Sequence, residues 1–352
     1  MKNIMREATY RGRRAAAVEN RQLRVTVLHE GGHIAEIFDK QTGVNPLWTP
    51  PWASIEPSIY DANRFPEYGG GPEAKLLAGI VGHNLCLDVF GGPSPDEAAA
   101  GITVHGEGPV EPYEITAADG LLRMSCRLPL SQLAFERRLE LHDRTVRILE
   151  TVENLSACDR PIAWTQHVTL GPPFLQKGVT RFRASATRSK VFESDFGSAA
   201  YLIPGAEFDW PFAPARGGGL VDLRVFNGAP ASSAFTTHLM DPRRECAFFA
   251  AFSPEHRLGF GYVWKSSEFP WLGIWEENLS RVHAPWNGAT LARGMEFGVS
   301  PFPETRREMI DRSRLFGVPG WRWLPAKGRL SVEYWAIIES AVEVPESLEW
   351  PA

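Results

Sequence analysis

Short runs of alternating apolar and polar residues, separated by turn residues, recur along most of this chain. Between residues 110 and 155 they follow one another at regular spacing, and Leu133–Leu141 is one of them. Successive side chains of a β-strand point to opposite faces, so a period of two gives a strand one apolar face. The runs end in turn residues such as Ala118-Asp119-Gly120 and His142-Asp143. This pattern predicts an antiparallel meander.

The same alternation extends to both ends of the chain. Residues 1–20 lack it, and we expect an irregular segment there. Short helical turns are expected only near Ser131 and from Thr305 to Ser313. We therefore predict an all-β fold, a large antiparallel sandwich with few short helices and long loops along one face. The predicted strands are Leu23–Leu28, His33–Phe38, Tyr113–Thr116, Leu121–Leu128, Leu133–Leu141, Thr145–Leu149, Thr180–Thr187, Leu220–Phe226, Ser233–Leu239, Cys246–Phe252, Leu258–Trp264 and Leu330–Glu339.

Length and charge limit the classes of protein that this sequence can encode. A chain of 352 residues could form two domains, but β-sandwiches often reach this length as one unit, so we expect a single domain over residues 1–352. The net charge of −5 indicates no basic face and argues against a nucleic-acid partner. No apolar stretch is long enough to span a membrane or to form a secretory signal, so no membrane association and a cytoplasmic location are predicted.

The four cysteines are Cys86, Cys126, Cys158 and Cys246, and they are widely spaced. No CxxC pair or other metal-ligand spacing is present, and the spacing does not indicate a disulfide framework. Phosphate-binding and dinucleotide-binding fingerprints are also absent from the sequence. We therefore predict reduced thiols, no metal and no cofactor.

Aromatic residues are abundant, with 12 Trp and 20 Phe. They could fill the core between two sheets, or they could line a sugar cleft, because a ring stacks on the apolar face of a sugar. The segment Trp271–Asn278 places aromatics beside carboxylates and an amide, as is common at sugar sites. A long loop rich in Pro and Gly covers residues 44–75, and ordered loops of this length are often functional.

Three stretches carry candidate chemistry. His167 lies in the apolar run Trp164–Phe174, which ends in Gly-Pro-Pro, so we expect it at or near the end of a strand. His105 precedes Gly106, which leaves room for a tight turn. Glu296 lies in an apolar run bracketed by glycines, where desolvation would raise the pKa of its carboxyl and suit it to act as a general base. Each residue could instead be structural.

The order of these motifs resembles that of the aldose 1-epimerase (galactose mutarotase-like) superfamily. The resemblance covers most of the chain, from about Leu23 to Glu339, but each motif is short. It implies a single β-supersandwich and a small sugar or oligosaccharide as substrate. It implies that His167 acts as general acid toward the ring oxygen, and that Glu296 acts as general base toward the anomeric hydroxyl.

The resemblance also implies substrate-binding residues. His105 matches the histidine of the family's His-Gly motif, which contacts the sugar, and Asp241 lies where the family places a sugar-binding aspartate. His83 and Trp275 are further candidates. The family's Asn-Arg-Ile segment is not matched, since the nearest Asn-Arg here is Asn63-Arg64-Phe65.

Three functions remain open on the sequence. The first is an isomerase that interconverts sugar anomers. The second is a carbohydrate-binding protein without turnover. The third is a lyase or hydrolase acting on a polysaccharide, for which we expect a long open groove paved by Trp48, Trp52, Trp271 and Trp275. For an isomerase, we expect His167 and Glu296 on opposite sides of one pocket, separated by the width of a sugar ring.

Overall fold

Strands form most of the regular structure of the protein, for which a computed structural model describes residues 3–118 and 120–351. The described strands, in chain order, are β1 (Ile4–Tyr10), β2 (Arg13–Glu19), β3 (Leu23–Leu28), β4 (Ile34–Asp39), β5 (His83–Leu87), β6 (Glu114–Ala118), β7 (Leu121–Leu128), β8 (Leu133–His142), β9 (Thr145–Asn154), β10 (Arg160–Ile162), β11 (Trp164–Leu170), β12 (Arg181–Ala184), β13 (Ala186–Val191), β14 (Glu207–Asp209), β15 (Phe212–Pro214), β16 (Leu220–Asp222), β17 (Ser232–Met240), β18 (Cys246–Ser253), β19 (Leu258–Lys265), β20 (Trp271–Asn278), β21 (Leu291–Gly298), β22 (Arg314–Leu315), β23 (Val318–Pro319), β24 (Arg322–Leu324) and β25 (Arg329–Ser340).

The helices are few and short. They are α1 (Ala74–Gly79), α2 (Pro95–Ala99) and α3 (Arg306–Arg312), with single 3-10 turns at Pro57–Ile59 and Pro66–Tyr68. Both α2 and α3 begin with a capping box, in which a Ser or Thr and the Glu three residues later satisfy each other's backbone N–H groups. None of the described helices is long and apolar enough to cross a membrane.

Two large sheets organise these strands. The first is an 11-stranded sheet in the order β1-β2-β3-β4-β5-β11-β21-β20-β17-β13-β14, and the second is an 8-stranded sheet in the order β12-β18-β19-β25-β9-β8-β7-β6. Neighbouring strands of both sheets pair antiparallel, for example β11 with β21. Smaller pairs are β10-β24, β15-β16 and β22-β23. Together the two sheets form the large antiparallel sandwich that the alternation predicts.

The main core contains side chains from both sheets. Val25 and Val168 of the first sheet belong to the same buried cluster as Leu139, Phe260 and further residues of the second. Burying one face of each sheet against the other is what the period-two pattern requires, because an exposed apolar face would leave its side chains in water. The first sheet has a second apolar cluster on its other face, where long loops cover it, and that cluster surrounds the candidate site.

Several predicted strands are confirmed. Leu23–Leu28 and residues 34–39 pair as the hairpin β3-β4, and β7, β8, β9 and β25 lie where the alternation predicts them. Helix α3 begins and ends within the predicted stretch from Thr305 to Ser313. Asp119, in the turn predicted at residues 118–120, lies outside the described residues.

Other predictions are wrong. The first 20 residues are not an irregular segment, since β1 and β2 pair over Ile4–Tyr10 and Arg13–Glu19. The alanines of β2 are poor strand formers by themselves, but packing and pairing with β3 decide their conformation. Helices α1 and α2 were not expected in the loops, and Leu220–Phe226 is a strand only over its first three residues. The turn expected near Ser131 does form, over residues 129–132.

Candidate active site

His167 and Glu296 lie side by side on neighbouring strands. They are directly opposite each other in the pairing of β11 with β21, and His167 Nε2 lies 3.2 Å from Glu296 Oε1. Both side chains are nearly closed off from solvent, with 6% and 2% exposed. His167 is in the middle of β11 rather than at its end, where the sequence predicted it. The central position fixes the imidazole through backbone pairing on both sides.

The glycines beside Glu296 make room for this arrangement. A Cβ atom on Gly294 would overlap Glu296 Oε1, so the carboxylate occupies space that only glycine leaves free. A Cβ on Gly298 would overlap Thr165 on the neighbouring strand. Gly294 thus leaves space for the Glu296 carboxylate, and Gly298 allows β11 to approach β21 closely.

His105 approaches the pair from a loop. Its ring centroid is 4.9 Å from that of His167, and its Nδ1 lies 2.6 Å from the carbonyl oxygen of Phe90. A carbonyl only accepts, so Nδ1 carries the proton and, in the neutral ring, Nε2 is an acceptor. The backbone of His105 has φ of 71°, a left-handed conformation that costs energy for a residue with a side chain and is concentrated at functional sites.

These residues border one small cavity of about 200 Å³. Its volume is below the roughly 300–1,000 Å³ that is typical of pockets for drug-sized ligands, so it suits one small molecule. Apolar side chains form most of the wall, and five ionisable side chains interrupt it. The lining residues are Glu73, Leu76, Leu77, Ile80, Gly91, Gly92, Val104, His105, His167, Phe196, Phe235, Trp275, Arg281, Trp286, Glu296 and Pro303.

Burial controls the protonation of Glu296, His167 and His105. Desolvation raises the pKa of the Glu296 carboxyl well above its usual range and lowers the pKa of His167 well below its own. Burial likewise lowers the pKa of His105 to about 4, so this ring is neutral at pH 7. The pKa shifts of Glu296 and His167 both disfavour the charged forms, so burial favours a neutral carboxyl beside a neutral imidazole. His167 Nε2 lies 3.2 Å from Glu296 Oε1, and His167 Nδ1 lies 3.0 Å from Thr169 Oγ1, within hydrogen-bond distance.

Arg281 is a pocket residue that the sequence analysis did not identify. Its guanidinium lies over the rings of Trp275 and Trp286, at 5.4 Å and 4.6 Å from their centroids, and 3.5 Å from Glu277. Glu277 also accepts hydrogen bonds from the backbone N–H of Ser280 and Arg281, which fixes the loop after β20. No sequence motif marks this arginine, because its position depends on how the loop returns over the tryptophans.

Of the predicted substrate-binding residues, the structure brings His105 and Trp275 to the cavity and places the other two elsewhere. His83 is on the opposite face of β5, fully buried between the sheets, where its ring nitrogens hydrogen-bond Tyr262 and Gln166 at 3.0 Å each. Asp241 lies in the turn after β17, where Arg243 donates to its carboxylate. The placement of His83 follows from the register of β5, which sequence alone did not fix, and Asp241 belongs to the turn that follows β17.

The expected tryptophan groove is not formed. Trp48 and Trp271 are 1% and 0% exposed, and Trp275 and Trp286 close around the small cavity. Trp48 stacks on Trp286 with ring centroids 6.4 Å apart, so these rings serve as packing and as the wall of the cavity. The aromatic residues of this region therefore border a compact pocket, and an extended polymer site is not present at these tryptophans.

A buried polar network lies on the reverse side of β11, between the two sheets. Glu150 accepts hydrogen bonds from Arg137 Nε at 2.7 Å, Gln166 Nε2 at 2.6 Å and Tyr334 Oη at 2.7 Å. Arg137 and Glu150 are 1% and 0% exposed. Because Gln166 is the neighbour of His167 in β11, this network connects the strand that bears the histidine to the second sheet.

Metal ligation finds no support among the described residues. No group of three or more His, Cys, Asp and Glu side chains in residues 3–118 and 120–351 is arranged to hold a metal ion. The ionisable groups of the cavity are instead two carboxyls, two imidazoles and one guanidinium. This set can exchange protons with a hydroxyl and donate or accept hydrogen bonds.

Comparison with known proteins identifies the fold. No protein-family model matches the chain, and no curated protein matches it in sequence. Among solved structures, a proposed aldose 1-epimerase from Klebsiella pneumoniae aligns over 97% of this chain and 88% of its own, with a TM-score of 0.65 and 12% identity. A galactose mutarotase-like protein from Clostridium acetobutylicum aligns over 96% and 99%, with a TM-score of 0.62 and 15% identity.

A third similar structure is a galactose mutarotase related enzyme from Lactobacillus acidophilus, which covers 94% of this chain and 99% of its own with a TM-score of 0.60 and 12% identity. The chain thus has the galactose mutarotase-like fold, an all-β supersandwich. At these identities the similarity establishes the architecture, and the activity has to be argued from the site.

Proposed function

We propose that this protein interconverts the anomers of a small sugar by acid–base catalysis, as an aldose 1-epimerase-like isomerase. The observation that carries the proposal is the contact between His167 Nε2 and Glu296 Oε1, at 3.2 Å, in the wall of a small cavity. A buried acid and a buried base that share one proton can deliver it to one atom while removing another proton from its neighbour.

The direct contact suits this reaction better than the ring-wide separation expected from the sequence. The anomeric hydroxyl oxygen and the ring oxygen of a sugar are bonded to the same carbon. An acid and a base that serve these two oxygens must therefore lie within a few ångström of each other, as neighbours on adjacent strands do. The expectation of opposite pocket walls was a geometric error, since it took the width of the ring as the relevant distance.

In the proposed reaction, paired proton transfers open the sugar ring and close it again. Moving the shared proton from Glu296 to His167 Nε2 produces a carboxylate and an imidazolium. Glu296 then takes the proton of the anomeric hydroxyl while His167 gives its proton to the ring oxygen. The bond between the anomeric carbon and the ring oxygen breaks and a carbonyl forms. After rotation about the neighbouring carbon–carbon bond, the reverse transfers close the ring on the other face and restore the pair.

Other residues of the cavity have roles in binding. In its neutral form, His105 Nε2 accepts a hydrogen bond from a sugar hydroxyl, because Nδ1 donates to the carbonyl of Phe90. The apolar rings of Trp275 and Phe235 exclude water and contact the carbon face of the sugar. A cavity of about 200 Å³ favours a monosaccharide as substrate.

The alternatives differ in what they require. A polysaccharide lyase or hydrolase needs a groove for a chain, and the enclosed tryptophans argue against one. A binding protein without turnover needs no shared proton, and burying an acid beside a histidine without a use for the pair would only cost stability. The raised pKa of Glu296 and the lowered pKa of His167 therefore favour catalysis.

Saturation-transfer NMR of anomeric exchange over a panel of monosaccharides tests the proposal. The wild-type protein is expected to accelerate exchange of at least one sugar, and Glu296→Gln to abolish the acceleration. Glu276→Gln is the matched control, because Glu276 is also a buried glutamate with a raised pKa but belongs to the neighbouring strand and faces away from the cavity. No acceleration by the wild type for any sugar, or equal rates in wild type and Glu296→Gln, would refute the isomerase.

A further inference from the structure

Asn84 is a buried polar residue beside His167 and Glu296 whose side chain has no hydrogen-bond partner among residues 3–118 and 120–351. It lies on β5 directly opposite His167, on the side away from Glu296. It is 1% exposed, and neither Nδ2 nor Oδ1 is paired with any described group. An unpaired buried donor or acceptor costs stability and is uncommon, so an amide with both groups unpaired calls for a functional reason.

The neighbouring residue provides a contrast. His83 points from the same strand into the space between the sheets, and both of its ring nitrogens are hydrogen-bonded there. The polar side chains of β5 are therefore satisfied on the core face and unsatisfied on the face that bears His167 and Glu296. The difference indicates that the partner of the Asn84 amide comes from outside the chain.

The order of the three side chains matches the order of atoms along a sugar ring. Glu296, His167 and Asn84 form a row across adjacent strands, which are about 4.8 Å apart. In a pyranose, the anomeric hydroxyl, the ring oxygen and the carbon that bears the exocyclic substituent also follow in a row. When Glu296 contacts the anomeric hydroxyl and His167 contacts the ring oxygen, Asn84 lies on the side of the carbon that bears the exocyclic substituent.

We propose that Asn84 binds the exocyclic hydroxyl of a hexopyranose and selects hexoses over sugars that lack this hydroxyl. The inference rests on the proposed function for the orientation of the ring. The amide both donates and accepts, so it can satisfy a hydroxyl completely. Asn84 does not line the cavity in this structure and its amide is closed off from solvent, so binding requires a local shift of the side chains that separate it from the cavity.

The proposal makes the protein selective. A site built to hydrogen-bond a substrate hydroxyl discriminates against the analogue that lacks it, because the buried polar group then stays unpaired. We expect kcat/KM for D-galactose or D-glucose to exceed that of its 6-deoxy counterpart by about tenfold or more.

Asn84→Leu, which keeps four side-chain heavy atoms with the same branching and removes the polar atoms, tests the assignment. This variant is expected to lower kcat/KM for the hexose much more than for the 6-deoxy sugar, so that their ratio approaches one. Its Tm is expected to equal or exceed that of the wild type, since the substitution removes two unpaired polar groups. A merely structural asparagine would instead lose stability and leave the ratio unchanged, which would overturn the proposal.

Ser253→Ala is the matched control. Ser253 is also buried with an unpaired hydroxyl, but it belongs to β18 of the second sheet, away from the cavity. It should keep the wild-type ratio. If the wild type exchanges no sugar, the proposed function fails. The increase in the Tm of the wild-type protein with the hexose is then compared with the increase with its 6-deoxy counterpart. A larger increase with the hexose supports the role of Asn84, and equal increases overturn it.

Discussion

Replacing Gly294 with alanine tests whether the position of the Glu296 carboxylate determines activity. The Cβ atom of alanine at 294 would lie 2.3 Å from Glu296 Oε1 and 3.1 Å from Trp275 Cβ. Ordinary contact for such a carbon begins at 3.4 Å, so the carboxylate oxygen must move by 1.1 Å (3.4 minus 2.3 Å). The backbone at 294 has no positive φ, so alanine fits the strand and the effect is confined to the side chains.

A shift of this size breaks the contact that carries the proton. Glu296 Oε1 and His167 Nε2 are 3.2 Å apart, and a displacement of about 1 Å at a reacting group lowers the rate by about 100-fold. Overpacking of a well-packed site by one methyl group costs about 1–3 kcal/mol of stability, which a folded protein of this size tolerates. We therefore expect Gly294→Ala to fold, to melt at a lower temperature, and to lose most of its kcat.

The assay is anomeric exchange by NMR together with thermal denaturation. Gly259→Ala is the control, because Gly259 is a strand glycine in the second sheet where the added carbon would meet its neighbours at 3.4 Å, an ordinary contact. It should keep the wild-type rate. If Gly294→Ala is folded and its kcat stays within about threefold of the wild type, the carboxylate position does not govern the rate and the reasoning is wrong.

Two further predictions concern pH and stability. The rate of exchange should be flat around neutral pH. The rate should fall in acid, well below pH 6.5, where His167 takes up a proton, because the pKa of His167 is lowered. It should fall in base, well above pH 4.5, where Glu296 loses its proton, because the pKa of Glu296 is raised. An acid limb centred near pH 6.5 would contradict the lowered pKa of His167. Glu150→Gln should lower the free energy of unfolding by about 3–5 kcal/mol in urea titrations, because Arg137 is left buried without a counter-ion; a loss below about 1 kcal/mol would show that the ion pair is not needed.

The sequence predicted the architecture well because alternation is a local signal. The strands β3, β7, β8 and β25 each carry their own apolar face, and the two-sheet core follows from it. The hairpin of β1 and β2 was missed because its alanine-rich strand is a weak strand former whose burial depends on a partner elsewhere in the chain. Local propensity does not contain that information.

The candidate site was predicted only in part, for a related reason. His105, His167 and Glu296 were found from short motifs and a family resemblance, and they do meet in one cavity. His83 and Asn84 are adjacent, yet one faces the core and the other the site, and only the register of β5 against β11 decides which. Arg281 lies in a loop that folds back over tryptophans, and no local pattern predicts such a return.

The most direct test of the account measures anomeric exchange in His167→Gln, Glu296→Gln and the double variant, on the sugar that the wild type exchanges fastest. Groups that act as one unit on the same bond are not additive, so removing either should cost about as much as removing both. We predict that each single variant loses most of the catalysed rate and that the double variant is no slower than the worse single one. Wild-type rates in either single variant, or losses that multiply in the double variant, would contradict a proton shared between these two side chains.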